Sequence, residues 1–341
     1  MVTGNKMKLG VIGWYGHSNF GDERMLYCIK KIFSGHNFLI SKNWNDAREK
    51  INELNKCDYI LIGGGGLILR NIFNQMDFFQ SLKKPFALIG ISVEANHDNM
   101  NSFFHMIKEK AEFILVRDKQ SKKYLGNHYK VIVGPDLTFL YPFDIVNEVK
   151  DDICGFNLRY WFFWKAQLHG NFHNLMIKMN NMFSIFKNIY PLKKWEPDKA
   201  VKIIKRNFKH IIPVTFYSEK DAINDYIILA QYFKNVSPLF DISLYDKIRY
   251  LVGMRYHSIV FAVQCGVPFI SLSYQPKSKK FCSDIDLNML SVDIFNLNEL
   301  EDTIYYIKDN YHEIRNHIIS YREEAIKDIK YIFSSISSLI K

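Results

Sequence analysis

The chain has 341 residues, of which 48% are hydrophobic, and its 45 lysines and arginines outnumber 35 aspartates and glutamates to give a formal net charge of +10. This length exceeds what one hydrophobic core usually supports, so we expect two domains. No apolar run reaches the roughly 18 residues that a membrane-spanning helix needs, and the N-terminus shows no secretory signal. We therefore expect a cytoplasmic protein.

The cysteines and lysines exclude several classes of site. The five cysteines are scattered in apolar contexts without a CxxC motif or a Cys/His cluster, so we expect no disulfide, metal or cofactor. The lysines are spread along the chain, and no RNA-recognition, zinc-finger or basic-helix pattern occurs, so nucleic acid is not an expected partner. The positive charge fits an ordinary solvated surface, an anionic substrate or the inner membrane leaflet.

Apolar strand-like runs alternate with amphipathic segments over the first part of the chain. The runs are KLGVIGW, NFLIS, DYILIGGG, PFALIGIS, EFILVRD and YKVIVG. Fully apolar strands separated by helices are typical of a parallel, doubly wound sheet that is covered on both faces. Residues 1–142 are therefore predicted to form a Rossmann-like domain.

The acidic stretch at 143–151 interrupts this alternation and is interpreted as a linker. The strand-like runs DICGFNLR, HIIPVTF, YLVGM and PFISLSY then predict a second Rossmann-like domain over 152–310. An aromatic and lysine-rich insert at 160–200 is predicted to be helical, and a helix is predicted at 311–341. We expect a cleft between the two α/β domains, with ligands at the carboxyl ends of the strands.

Three loops after strands of the first domain contain candidate site residues. In GWYGHSNFGDE (13–23), Asn19 suggests contact with a hydroxylated ligand, and Asp22 either caps the following helix or points into the cleft. Gly64 and Gly65 belong to a run of four glycines, where bare backbone lets a ligand approach closely. Asp136, in VGPDLTF, is either a cap or a cleft residue.

The segment GMRYHSIVFAVQCGVPFISLSYQPK (253–277) begins and ends with basic side chains. Arg255, His257 and Ser258 fall at a predicted strand end and in the first turn of a helix, where the helix dipole already favours an anion over a cation. Tyr274 and Lys277 follow the next strand. This convergence predicts an anion site, held by backbone N–H groups and cationic side chains.

The same motifs resemble the polysaccharide pyruvyl transferase family. The marks are NFGDE, GGGG, GPD and the segment at 253–277, in this order along the chain. The resemblance implies two Rossmann-like domains in a GT-B-like arrangement, and transfer of the pyruvyl unit of phosphoenolpyruvate onto two sugar hydroxyls as a ketal. It implies that Arg255 and His257 contact the donor, and Arg159 matches an arginine that the family places after the first strand of its second domain.

The implied reaction needs proton transfers, which suggests roles for the candidates. His257 suits either transfer, and Asp22 or Asp136 would act as the base. The second domain would then hold the donor through Arg255, His257, Ser258, Arg159, Lys277 and Tyr274. The first would hold the acceptor through Asn19, Gly64 and Gly65, helped by the aromatic candidates Trp161 and Trp164 of the insert.

Two alternatives stay open at this stage. A glycosyltransferase of the same architecture would use the basic cluster to bind the diphosphate of a sugar nucleotide. A non-catalytic sugar- or nucleotide-binding protein would bind an anion there without an acid or a base. The sugar acceptor would be carried on a nucleotide, a lipid diphosphate or a polymer. The aromatic and basic insert either packs its aromatic side chains against the sheet of the second domain or forms an acceptor platform at the inner membrane surface.

Overall fold

The computed structural model describes residues 6–68, 75–93, 101–161, 195–219 and 224–336. Two compact units emerge from it: Met1–Pro142 together with Arg322–Lys341, and Phe143–Tyr321. We call them the first and second unit. Within the described ranges, none of the helices combines the length and the apolar character that crossing a bilayer requires.

The first unit contains a six-stranded parallel sheet in the order β2-β1-β3-β4-β5-β6. Its strands are β1 (Lys8–Ile12), β2 (Asn37–Ser41), β3 (Tyr59–Ile68), β4 (Phe86–Val93), β5 (Ile114–Val116) and β6 (Val131–Val133). Its helices are α1 (Phe20–Ile32), α2 (Trp44–Glu49), α3 (Ile51–Leu54), α4 (Met76–Ser81), α5 (Asn101–Lys110) and α6 (Lys119–Leu125). A 3₁₀ helix spans Leu137–Leu140.

The centre of this sheet is covered on both faces. Every residue of β4 is buried, as expected for a parallel strand with helices on either side. Gly63 lets β3 pair closely with β4, because a Cβ at that position would lie 2.3 Å from the carbonyl oxygen of Ile89. The apolar runs of the sequence therefore correspond to the buried strands of a doubly wound sheet.

The second unit contains a five-stranded parallel sheet in the order β11-β10-β9-β7-β8. Its strands are β7 (Ile153–Asn157), β8 (His210–Pro213), β9 (Tyr250–Gly253), β10 (Phe269–Ser273) and β11 (Ser291–Asp293). Its helices are α7 (Pro197–Asn207), α8 (Asp225–Leu229), α9 (Tyr256–Cys265), α10 (Pro276–Asp284), α11 (Leu300–Asp309) and the first part of α12 (Tyr311–Ile336). The predicted α/β class with two parallel sheets and C-terminal helices is confirmed.

The order of this sheet brings three strand ends together. Asn157 at the end of β7 lies opposite Gly253 at the end of β9, and Ser271 of β10 lies on the other side of Gly253. Because parallel strands end at the same edge of a sheet, the residues that follow these strands are neighbours.

Other predicted segments can be placed within the units. Residues 143–150 contain neither helix nor strand, and Phe143 packs edge-on against Phe261, with ring centroids 5.1 Å apart. The middle of the predicted helical insert, 162–194, lies outside the described residues. The C-terminal helix α12 starts in the second unit, and its residues from Arg322 onward group with the first.

Candidate functional site

Five candidate residues gather around the carboxyl edge of the second sheet, and we call them the strand-end cluster. Arg159 follows β7, Arg255 and His257 follow β9, and Tyr274 and Lys277 follow β10. Tyr274 is 3% exposed and the two arginines are each 9% exposed. Charged groups at such depth need partners or a ligand, so the surroundings of each residue indicate what the cluster does.

Arg255 is held from two sides by buried groups. It is the N-cap of α9, and its backbone N–H donates to Oδ1 of Asn157 at 2.9 Å. Its guanidinium donates to Oδ1 of Asp225 through Nε at 2.8 Å and Nη2 at 2.6 Å. The face of the guanidinium lies 4.8 Å from the ring centroid of Tyr217. These contacts fix both the position and the orientation of the arginine.

Asp225 was missed by the sequence analysis, although it is the acid of this site. Its second oxygen, Oδ2, accepts from Asn157 Nδ2 at 3.0 Å and from the backbone N–H groups of Phe216 and Tyr217 at 3.1 and 3.3 Å. Burial alone would lower the pKa of the Arg255 guanidinium, but the Asp225 carboxylate beside it raises that pKa above its usual range. Arg255 therefore stays charged in a dry environment.

Among the residues that the structure describes, no carboxylate forms an ion pair with Arg159 as Asp225 does with Arg255. Its Nη1 donates to the phenol oxygen of Tyr274 at 2.7 Å, and its guanidinium lies 4.7 Å from the centroid of the same ring. Its Nε is buried without a hydrogen-bond partner among the residues that the structure describes. Burial lowers the pKa of Arg159, and the positive charge of Arg255 adds to that effect although Tyr274 opposes it. An anionic ligand would relieve both penalties.

His257 and Ser258 lie in the first turn of α9 and have different surroundings. The ring of His257 is buried between those of Tyr256 and Phe261, with centroids 5.1 and 5.8 Å away. Ser258 is completely buried, and its hydroxyl donates to the carbonyl oxygen of Arg255 at 2.6 Å. Ser258 therefore supports the turn that carries Arg255, and its contact with the donor stays a prediction.

Lys277 belongs to the strand-end cluster, and Trp161 borders it. Lys277 lies in the first turn of α10 and is partly exposed, and within the described ranges its ammonium group makes no hydrogen bond or ion pair. Trp161 is 8% exposed and packs edge-on against Tyr274, with ring centroids 4.8 Å apart. Trp161 thus lies with the predicted donor residues, whereas Trp164 falls outside the described residues.

The first unit brings together another set of candidates. Asn19 Nδ2 donates to Oδ2 of Asp22 at 2.5 Å. Gly64 and Gly65 both have left-handed backbone, with φ of 86° and 85°, and a Cβ on Gly65 would lie 3.1 Å from Oδ1 of Asp22. Gly65 therefore gives the Asp22 carboxylate room beside bare backbone.

Tyr15 supports this loop and was not singled out in the sequence. Its ring is 1% exposed, and its hydroxyl donates to the carbonyl oxygen of Gly63 at 2.6 Å. A Cβ on Gly64 would lie 3.0 Å from the same hydroxyl. The tyrosine thus joins the loop after β1 to the glycine run of β3.

Asp136 has surroundings that favour a structural role over that of a base. Its Oδ1 caps the 3₁₀ helix by accepting from the backbone and the hydroxyl of Thr138, at 3.0 and 2.7 Å. Its Oδ2 pairs with Nη1 of Arg117 at 3.0 Å, and the exposed fractions of the two side chains are 0% and 2%. Arg117 also donates from Nε to Ser92.

The part of the chain that the structure describes contains no group of three or more His, Cys, Asp or Glu side chains placed to hold a metal ion. The site is instead defined by cations. Within the strand-end cluster, three residues are Arg or Lys, and the acid that contacts the cluster, Asp225, is already paired with Arg255. The arrangement suits a ligand that carries more than one negative charge.

Comparisons with known proteins agree with these features. The family model described as polysaccharide pyruvyl transferase matches residues 19–276, which is most of the chain. That range contains the Asn19 loop, the glycine run and nearly all of the strand-end cluster. No curated protein matches the chain at the sequence level.

Solved structures share the fold at low sequence identity. A proposed UDP-N-acetylglucosamine 2-epimerase from Listeria monocytogenes is 12% identical with a TM-score of 0.54, and the match covers 98% of this chain and 96% of that one. HepE of Anabaena in complex with UDP is 11% identical with a TM-score of 0.54, over 97% and 100% of the two chains. The glycotransferase of kitacinnamycin is 8% identical with a TM-score of 0.52, over 97% and 99%. These likenesses establish a GT-B-like fold.

Proposed function

Because the chain belongs to the polysaccharide pyruvyl transferase family, we propose that it transfers the pyruvyl group of phosphoenolpyruvate onto two hydroxyls of a sugar, forming a ketal and releasing phosphate. The observation that supports this most directly is the pair of buried arginines at adjacent strand ends. Arg255 is charge-balanced by Asp225, whereas Arg159 is not.

Phosphoenolpyruvate matches the charges of this site. A phosphate ester carries about −1.5 to −2 charge at pH 7 and a carboxylate adds another. Arg159 and Lys277 supply positive charge that no described carboxylate neutralises through an ion pair. The N-terminus of α9 adds backbone N–H groups beside Arg255. Two anionic groups on one small molecule can thus be bound by cations from three neighbouring strand ends.

His257 is proposed as the acid that protonates the methylene carbon of the donor. Protonation at this carbon makes the adjacent carbon electrophilic, and the sugar oxygen then attacks it. Imidazole is the side chain that most often performs such transfers, and His257 lies two residues from Arg255 in the same helical turn. The assignment predicts that His257 affects turnover more than donor binding.

For the base, the first unit leaves Asp22 as the candidate, since Asp136 already pairs with Arg117. Asn19, Gly64 and Gly65 would then contact the sugar beside Asp22. The hydrogen bond from Asn19 to Asp22 would orient that carboxylate. On the basis of these residues, we propose that the first unit binds the acceptor sugar.

The acceptor sugar is proposed to be carried on a nucleotide or a lipid diphosphate. The segment 159–195 is rich in aromatic and basic residues and contains no acid, a composition that favours sugar stacking and anionic membrane surfaces. Trp164→Ala and Lys165→Glu should raise the KM for the acceptor and weaken sedimentation with phosphatidylglycerol liposomes, while the donor KM stays constant. Unchanged liposome binding in both variants would argue against the membrane surface.

The function itself is tested by incubating the purified protein with phosphoenolpyruvate and a panel of free, nucleotide-linked and lipid-diphosphate-linked sugars. We expect phosphate release that depends on the acceptor, together with a product that mass spectrometry identifies as the acceptor plus a pyruvate ketal. Transfer from a sugar nucleotide in place of phosphoenolpyruvate would indicate a glycosyltransferase. Donor binding without turnover across the panel would indicate a binding protein.

A further inference from the structure

Tyr274 has the surroundings of a proton-transfer group. It follows β10 directly, is 3% exposed, and lies within the strand-end cluster. Its ring is fixed on two sides, by Trp161 at a centroid distance of 4.8 Å and by the guanidinium of Arg159 at 4.7 Å. A phenol held so firmly presents its oxygen in one position.

The phenol oxygen of Tyr274 accepts a hydrogen bond, but among the described residues it donates none. Arg159 donates a hydrogen bond to it from Nη1 at 2.7 Å. The phenol oxygen is the acceptor in this bond, so the phenol proton needs a different acceptor. Over the described residues, no carboxylate, carbonyl or hydroxyl oxygen accepts that proton. Two other buried tyrosines, Tyr15 and Tyr245, differ in this respect, since Tyr15 donates to Gly63 and Tyr245 donates to the carbonyl oxygen of Ser258 at 2.8 Å.

The charges around Tyr274 favour its ionised form. Burial raises the pKa of the phenol, but the nearby positive charges of Arg159, Lys277 and Arg255 outweigh this effect and lower its pKa below the usual value. Asp225, the acid of the site, forms an ion pair with Arg255. Cations from the loops after β7 and β9 and from α10 therefore act together on one phenol.

From this geometry we propose that the Tyr274 phenolate is the base that takes the proton of the attacking sugar hydroxyl. The proposal rests on the proposed function and gives the role of base to Tyr274 in place of Asp22, which is then left as a contact of the acceptor sugar. The sugar oxygen forms a bond to the central carbon of the donor, its proton moves to Tyr274, and the proton of the His257 imidazolium moves to the methylene carbon.

The second half of the reaction restores both residues. The bond between the central carbon and the phosphate oxygen breaks with its electron pair on phosphate, which takes the proton back from Tyr274. The second sugar hydroxyl bonds to the same carbon and gives its proton to His257. Two hydroxyl protons are thus lost, one is gained by carbon and one by phosphate, and the enzyme returns to its starting state.

The test replaces Tyr274 alone with 3-fluorotyrosine, whose phenol is more acidic but nearly the same in size. The control carries the same replacement at Tyr129, which is 84% exposed. We expect the acid limb of the pH profile of kcat to move to lower pH with fluorine at 274 and to stay unchanged with fluorine at 129. An unchanged profile at 274 would overturn the proposal, because a tyrosine that only positions Arg159 has no reason to move it.

Two further measurements complete the test. Tyr274→Phe should lower kcat by about 10²–10⁴-fold, the usual contribution of an acid–base group, with a smaller change in the dissociation constant for phosphoenolpyruvate. The fluorine resonance at 274 should titrate at lower pH than that at 129. If the fluorine resonances at 274 and 129 titrated at the same pH, the proposal would be overturned, whether or not the protein turned over phosphoenolpyruvate. If the midpoint at 274 were lowered but no turnover occurred, only the proposed function would be contradicted.

Discussion

Asp225 binds the guanidinium of Arg255 through a single carboxylate oxygen, at 2.6 Å from Nη2 and 2.8 Å from Nε, across a sequence separation of 30 residues. The other oxygen is used by Asn157 and by backbone N–H groups. Every acceptor of this buried acid is therefore engaged, and the arginine is held in place before any ligand arrives. Such preorganisation avoids the cost of ordering the side chain when the donor binds.

Asp225→Asn should destabilise the protein, because it leaves the charge of Arg255 buried and uncompensated. Removal of one partner of a buried ion pair costs about 3–5 kcal/mol, measured here as the loss in free energy of unfolding in urea. Asp241→Asn is the matched control, since Asp241 caps a 3₁₀ helix at the surface and Asn caps about equally well. Equal stability of the two variants would contradict the importance of the pair.

Arg255→Lys should keep the fold but lose donor affinity. Lysine retains the charge beside Asp225 but cannot reproduce the planar fork, and each charge-assisted hydrogen bond contributes about 1.5–3 kcal/mol. We expect kcat/KM for phosphoenolpyruvate to fall by about ten- to a hundredfold. Near-normal kinetics in a correctly folded variant would remove Arg255 from the donor site.

His257→Ala should largely abolish turnover while part of the donor affinity remains. An acid–base group typically contributes about 10²–10⁴-fold to the rate, whereas Arg159 and Arg255 would still bind the donor in this variant. Isothermal titration calorimetry with phosphoenolpyruvate gives the affinity, and phosphate release at saturating donor gives kcat. Lost binding with a normal residual kcat would make His257 an anion ligand only.

Gly65→Ala should impair the acceptor side of the reaction. Its φ of 85° strains any residue with a Cβ, and that Cβ would lie 3.1 Å from Oδ1 of Asp22. Gly35→Ala is the control, because its φ of 101° is equally unfavourable while the new Cβ would meet no atom within 4 Å. Both variants should lose about 1–2 kcal/mol of stability.

The difference between the two glycine variants isolates the contact with Asp22. Only Gly65→Ala should raise the acceptor KM, and the donor KM should stay constant in both. A similar rise in the acceptor KM for Gly35→Ala would show that strain alone is responsible. No rise in either variant would remove Asp22 from the acceptor site.

The sequence alone could predict the strand-end cluster because parallel strands have a simple geometry. Each apolar run marks a strand, and the residue types that follow it must meet at one edge of the sheet. Arg255 and Tyr274 came together for this reason, whereas Arg159 was assigned from the family resemblance. This prediction did not require the order of the strands, in which β7 lies beside β9. Several other orders would also bring the carboxyl ends of β7, β9 and β10 close together.

The partners of these residues could not be predicted in the same way. Asp225 begins a short helix that lies 30 residues from Arg255 in the sequence, and its carboxylate is held by the backbone N–H groups of Phe216 and Tyr217. For Asp136 a signal was present, because EFILVRD places Arg117 directly after an apolar strand. A charged residue at that point could have indicated the ion pair that Asp136 forms with Arg117.

Helix α12 makes the order of synthesis matter for this fold. Its last turns complete the first unit: a Cβ on Gly134 would lie 2.8 Å from Ile332 Cδ1, and the rings of Phe33 and Phe333 are 6.5 Å apart between centroids. Those residues leave the ribosome after every residue of the second unit. The first unit therefore lacks one flank of its core until these turns of α12 have been synthesised, so a truncation that removes them would destabilise the part of the chain that is made first.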